Sequence, residues 1–373
     1  MPTASKKTIV VVGGGSGSGA TAARTLSEKL PSAQITLINP LPYAVSRPTI
    51  PRMTVSDDND LIETALIPYD KLFKNSNGTF VQGVVDRIEA NQKGGVVFLA
   101  DGKQLPYDAL VLSPGSLWEG PMDIPDDSTA VKEFIATSRA NFKKAQKIVL
   151  VGGGAVGIEY AGEIKDIWPS KEVTIVHSDK ALTNSAYSAK FRKNLEGSLR
   201  KRGVKIILED FVDEIPPPGP ATIKTRKGTV IEADLVIPTR GPRPRTEFVA
   251  KSLGADTLDE HQQIKVKPTL QLINHPDIFA MGDATNIVEQ KQVMKANAHA
   301  AIVAANVIAY LNGSSALKPY KGSPEMILIS IGKNAGQGFM GFFGGITVGD
   351  WFVKTIKSKT LMVPMSRGYM GYK

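Results

Sequence analysis

IVVVGGGSGSGA, residues 9–20, runs three valines straight into five glycines interleaved with two serines. A β-branched run suits a buried parallel strand. A glycine run between such a strand and a helix is a candidate dinucleotide turn, although the turn alone is a weak signal. Residues 18–30 bring Ala20, Ala23, Leu26 and Leu30 near one helical face, and QITLIN at 34–39 supplies a second strand. The opening therefore reads as a βαβ unit.

The same unit recurs later in the chain. KIVLVGGGAVGIEYAGEI at 147–164 is again strand, glycine turn and helix, and EVTIVHS at 172–178 is its second strand. Two such turns in matching contexts form an internal duplication, which is far more specific than either alone. The three glycines serve different ends: one permits a tight turn, one lets a pyrophosphate approach closely, and one lets helix and strand pack. The helix N-terminus then offers unpaired N–H groups to the phosphates. Gly152, Gly154 and Gly157 fit completely. In the first copy Gly13 and Gly15 fit, and the third place falls on Ser18. A shifted frame of Gly15, Gly17 and Ala20 also fits, but the strand end at Val12 favours the first.

The repetition extends downstream of both units. GGVVFLADGKQLPYDALVLSPGS at 94–116 reads as a hairpin followed by a buried strand, and TIKTRKGTVIEADLVIPTRGPRP at 222–244 repeats it. Linkers are expected at 119–128 and 215–220, and residues 292–311 read as a long alanine-rich buried helix. A carboxylate usually ends the second strand and binds the ribose hydroxyls. Here the first copy has Asn39 and the second has His177-Ser178. With Lys180 nearby, the second site would not repel a 2′-phosphate, so NADH and NADPH both stay open. His177 as a surface residue without a ligand role also stays open.

Composition narrows the chemistry. The chain has 373 residues, no cysteine and four histidines without metal-ligand spacing. Disulfides, iron–sulfur clusters and thiol relays are excluded, and no metal site is expected. No apolar run of about 18 residues predicts a membrane span. MPTASKK has no apolar h-region, so no secretory leader is expected, and with Pro2 at the second position no myristoylation is expected. The formal net charge is +9. Residues 316–373 hold eight basic and two acidic side chains, a bias that suits an anionic surface or simply a solvated face.

HPDIFAMGDATN at 275–286 puts Gly282-Asp283 between a strand and a helix. With GGGAVGIEYAGEI, KEVTIVHSDKAL, FAMGDAT, HAAIVAANVI and ISIGKNAGQGFMGFFGG, the chain resembles the pyridine-nucleotide–disulfide oxidoreductase superfamily. Within it, the likeness is to the apoptosis-inducing-factor-like branch, its ferroptosis-suppressor group above all, and it spans essentially the whole chain. The resemblance implies an α/β fold of two Rossmann-like dinucleotide-binding domains, the second inserted in the first. Residues 1–125 and 255–315 would bind FAD, residues 126–254 NAD(P)H, and 316–373 would form a small C-terminal segment.

The resemblance also implies site residues. Gly13, Gly14, Gly15, Ser16, Gly17 and Ser18, with Asn39, would cradle FAD. Arg52 would pair with its phosphate or flavin edge, the Val85 backbone would meet the adenine, and Gly115, Gly282 and Asp283 would complete the site. Gly152, Gly154, Gly157, His177 and Ser178 would hold NADH or NADPH. Lys291 would lie near the flavin and Glu159 near the nicotinamide, unless they are an ordinary solvated lysine and an ordinary helix residue. Arg240 stands where the group usually has threonine, and SPG at 113–115 replaces its usual ATG.

Without cysteine, electrons cannot leave through a disulfide. The expected reaction is hydride transfer from NAD(P)H to flavin, then electron transfer to a quinone-type acceptor. The aromatics Phe339, Phe342, Phe343, Trp351 and Phe352, with Ile356, lie among Lys354, Lys357 and Lys359. They read either as a peripheral membrane contact or as core. The expected location is cytoplasmic, peripheral on a membrane such as the mitochondrial outer membrane or a lipid droplet in the first case. A second reading is a redox sensor and interaction protein with slow NAD(P)H oxidation. Nucleic-acid binding is not expected, for want of a motif, and oligomer formation stays open.

Overall fold

A computed structural model describes residues 6–373. Residues 1–5, part of the stretch read above for a leader, lie outside the described residues. Two parallel sheets dominate. The first has the order Ile278–Ala280, Ala109–Leu112, Thr8–Val12, Gln34–Asn39, Gly78–Gln82. The second has the order Val204–Ile207, Glu172–Val176, Lys147–Val151, Leu235–Pro238.

Strand alternation divides the first unit's core in two. Ile9, Val11, Ile35, Leu37 and Val111 face one layer, while Val10, Val12, Ile38, Leu110 and Leu112 face the other. Both faces are covered, which is why these strands are apolar along their whole length. The duplication reaches individual bonds. Asp108 Oδ2 accepts from Thr8 N (2.8 Å), and Asp234 Oδ2 accepts from Lys147 N (2.8 Å). Each aspartate thus ties the start of the central strand to the strand that follows the hairpin.

The strand Ile278–Ala280 joins the first sheet only after the whole second sheet has been completed. The second unit is therefore inserted in the first, and the two crossings, Ser116–Leu117 and Arg243–Pro244, pair antiparallel. A buried ion pair locks the units together. Arg52, on the helix Ile50–Val55, grips Glu163, on the helix Ala155–Ile167, through Nε (2.9 Å) and Nη2 (2.8 Å). Beside it, Thr54 Oγ1 lies 2.9 Å from Tyr160 Oη, and Tyr160 stacks on Phe142. Removing one partner of such a buried pair costs about 3–5 kcal/mol.

The C-terminal segment forms an antiparallel sheet of Met326–Ser330, Gly336–Met340 and Ile346–Val348. It packs on the helix Ala155–Ile167, where a Cβ on Gly162 would lie 2.6 Å from Gly332 N. Phe339 is buried between Tyr187 and Phe191. The chain end then returns to the first unit: Ser366 meets Ser46 (3.1 Å), Arg24 Nη1 donates to Gly368 O (3.0 Å), and Met370 is buried.

Candidate functional site

Both glycine turns sit at the C-terminal ends of central parallel strands, the position where such sheets hold ligands. Gly13 has φ +95°, and a Cβ there would lie 1.9 Å from Ser113 O. Gly152 has φ +126°, and its Cβ would lie 2.5 Å from Thr239 O. Only glycine serves at either place. The third glycine is defined by its contact with the first: a Cβ on Gly157 would lie 2.0 Å from Gly152 O, and one on Gly19 would lie 1.9 Å from Gly13 O.

This corrects the sequence reading, which put Ser18, or Ala20 in the shifted frame, at the third place. Gly19 stands there, because the first turn is one residue longer. Ala20 N donates to Gly15 O across five residues, whereas Ile158 N donates to Gly154 O across four. The Ser18 hydroxyl instead donates to Gly15 O (3.0 Å) within the turn.

The residues that end the second strands hold the turns. Gly14 N donates to Asn39 Oδ1 (3.0 Å), and Gly153 N donates to His177 Nδ1 (3.1 Å). His177 Nε2 lies 3.2 Å from Thr183 O, which assigns the ring proton to Nε2. Both imidazole nitrogens are thus engaged, and Ser178 beside it is exposed. Gly83 N donates to Asn39 O (3.0 Å), so the turn leading into Val85 lies against the end of that strand. Gly15 is exposed, Ser16 is half-buried, and Gly17 (φ +77°) packs under Val293 and Tyr369.

A third wall comes from the strand Ile278–Ala280. Gly282, at φ +71°, donates its N–H to His299 Nδ1 (3.1 Å). His299 Nε2 lies 3.0 Å from Glu289 Oε1, off the axis of a hydrogen bond. Tyr320 Oη donates to Glu289 Oε2 (2.9 Å), and Lys295 pairs with Glu325 of the C-terminal segment. Asp283 accepts from Ser116 Oγ (3.0 Å), next to Gly115 at φ +73°.

Arg52 is corrected by its burial: both arms of its fork used above belong to Glu163, so it is not presented to a phosphate. The cation of this stretch that is coupled to Asp283 is Arg47, five residues earlier, exposed to solvent yet walled by protein. Surrounding protein lowers its pKa while Asp283 pulls the other way, and it stays a cation. The sequence reading missed it because the resemblance pointed to Arg52 alone.

Glu159 lies on the helix that follows the second turn. It is buried and accepts from Lys357 Nζ (2.6 Å) and Ser330 N (3.3 Å), so it anchors the C-terminal segment. Lys291 Nζ donates to Thr285 O (2.7 Å) and Ile287 O (2.8 Å), which leaves one of its three N–H groups. Burial lowers its pKa.

Residues 7–302 match the family described as pyridine nucleotide-disulphide oxidoreductase. The chain belongs to this family. A FAD-dependent oxidoreductase of Flammulina velutipes is 44% identical over 315 residues, covering 84% of this chain and 98% of that protein. Ferroptosis suppressor protein 1 of Taeniopygia guttata is 30% identical over 374 residues, 97% of this chain and 95% of that one. The sulfide:quinone oxidoreductase of Aquifex aeolicus overlies 97% of this chain and 92% of its own at a TM-score of 0.77. At 19% identity that likeness is one of fold.

The family uses FAD and NAD(P)H. The residues present fit both. Each turn carries a glycine cradle that a Cβ would fill, and Asp283, which follows the Gly282 that lies near Ser113, is coupled electrostatically to Arg47. The chain is a FAD-dependent NAD(P)H oxidoreductase.

Proposed function

We propose that this oxidoreductase delivers its electrons to a quinone-type acceptor. The observation that carries the reading is a two-nucleotide fold of this family in a chain with no cysteine. An internal disulfide relay has no thiol to use here. Bound FAD supplies a two-electron carrier between NAD(P)H and the acceptor.

The protein's part is to bind and orient. The turn from Gly13 to Gly19 holds the FAD pyrophosphate against backbone N–H groups, with Asn39 fixing its shape. Arg47 balances phosphate charge, and Asp283 orients the ribityl region. The turn from Gly152 to Gly157, steadied by His177, seats NADH or NADPH. Lys291 places a cation near the flavin, where it favours negative charge.

The C-terminal segment supports a lipid-dissolved acceptor. Its aromatics divide between the two expectations. Phe339 is core, whereas Phe343 is 98% and Trp351 79% exposed, with Phe342, Ile346 and Ile356 exposed beside them. Lys354 and Lys359 are exposed with them, while Lys357 is turned inward to Glu159. Exposed aromatics and lysines within one short segment suit peripheral contact with an anionic bilayer. Among the described residues, no helix is long and apolar enough to cross a membrane.

The test is spectroscopic. The purified chain should show flavin bands that bleach with NADH or NADPH and return on adding a soluble quinone. Bleaching that oxygen alone reverses, at a rate no quinone raises, contradicts the acceptor. Flotation with anionic vesicles should fall in Phe343→Ser/Trp351→Ser; equal flotation contradicts the membrane contact.

A further inference from the structure

We infer that Asn184 and Gln290 are positioning residues that fix the segment carrying Lys291 to the dinucleotide turn of the second unit. Residues 286–292 connect the Gly282-Asp283 turn to the helix Val293–Leu311. On one side of Lys291, Gln290 Oε1 accepts from Asn184 Nδ2 (2.7 Å). On the other, Gln292 Nε2 donates to Tyr187 Oη (3.1 Å). Asn184 and Tyr187 belong to the loop after the strand Glu172–Val176. That loop is bonded to the glycine turn in its own right: Thr183 N donates to Gly153 O (2.8 Å), and His177 bridges Gly153 N and Thr183 O. A run of hydrogen bonds and short covalent links thus joins Gly153 to both neighbours of Lys291.

Each member of the run is held in the orientation it needs. Asn184 Oδ1 accepts from Ala186 N (3.1 Å), which aims Nδ2 at Gln290. The Tyr187 ring is buried against Phe191 and Phe339, so its hydroxyl is a fixed point. Gln292 occupies the N-cap of its helix yet makes no capping bond; its amide goes across the unit boundary instead. Lys291 turns back on Thr285 O and Ile287 O, which ties the segment to its own start.

The inference rests on the reading that the second turn holds NAD(P)H beside a flavin near Lys291. The FAD-loaded full chain is titrated with NAD⁺, which cannot reduce it, and the flavin difference spectrum is recorded. Asn184→Ala and Gln290→Ala are compared singly and together. One hydrogen bond nets about two- to tenfold. The docked-to-undocked equilibrium should therefore shift by a few-fold, so the amplitude should fall in either single variant and no further in the double, with the NAD⁺ Kd changed less than about threefold. Asn184→Asp should restore the amplitude, because the Gln290 amide can flip and donate. Unchanged amplitudes, or losses that add in the double variant, overturn the inference while the reading stands. No NAD⁺ binding by the unaltered chain overturns the reading and the inference with it.

Discussion

In the first glycine turn Gly14 donates to Asn39 and accepts from Tyr69 Oη (2.8 Å); in the second, Gly153 donates to His177 and accepts from Thr183 N. The same backbone groups are satisfied at the same place by different chemistry. The surroundings differ more. Gly17 of the first turn lies beneath Val293 and Tyr369, so the end of the chain covers it. The glycines of the second turn meet only residues of their own unit, among them Leu182, His177 and Thr239. A turn overlaid by the end of the chain suits a cofactor that stays, and one lined by its own unit alone suits a nucleotide that exchanges. In both, the side chain usually given to the ribose is used to stiffen the turn.

The largest effect should come from filling a cradle. Gly13→Ala and Gly152→Ala force a Cβ onto backbone at positive φ, and each should cost at least about 3 kcal/mol in denaturant melts. Gly154→Ala should cost under about 1 kcal/mol. Equal costs at Gly13 and Gly154 would mean that the first glycine of each turn is not pressed against the backbone of Ser113 or Thr239.

Next come the two stiffening residues. Asn39→Ala should weaken FAD binding about tenfold, the upper range for one lost hydrogen bond with its partner left behind. His177→Ala should raise the KM for NAD(P)H while FAD content stays full. Loss of FAD from both variants would mean that the turns are not assigned to different nucleotides. A smaller effect is expected at the cover. Tyr369→Ala should speed FAD release about fivefold, from roughly 1 kcal/mol of lost contact, and leave the NAD(P)H KM unchanged.

The smallest effect is pH-dependent and confined to the first unit. Burial raises the Glu289 carboxyl, but His299, Tyr320 and Lys295 outweigh it and hold the group below the usual glutamate range. Its contribution is complete above that range and is lost as the pH falls through the depressed value. FAD retention should be flat from neutral to mildly acidic pH and fall below it. Glu289→Gln should remove that acid step.

Much of this was legible in local pattern. Glycine spacing after β-branched runs marks both turns, and the repeated hairpins mark the duplication, because a strand–turn–helix is specified by neighbours in sequence. The register of the first turn was not legible. Whether Ser18 or Gly19 meets Gly13 O depends on an extra residue at the helix entry, a matter of backbone path. Arg47 and Arg52 were not separable either, since the partner that takes Arg52 lies on a helix of the other unit. Glu159 and Lys357 likewise meet only because the C-terminal sheet folds back on that helix. The split of Phe339 from Phe343 follows from which end of a hairpin touches the second unit, and composition carries no record of that.

The central claim is that one turn keeps FAD while the other exchanges NAD(P)H. An anaerobic titration of the desalted protein with NADH and with NADPH tests it most directly. The account predicts flavin bands that survive desalting at about one FAD per chain and bleach on titration, with the FAD still protein-bound afterwards. A colourless chain that cannot be reconstituted with FAD, or flavin bands that neither nucleotide bleaches, would contradict it.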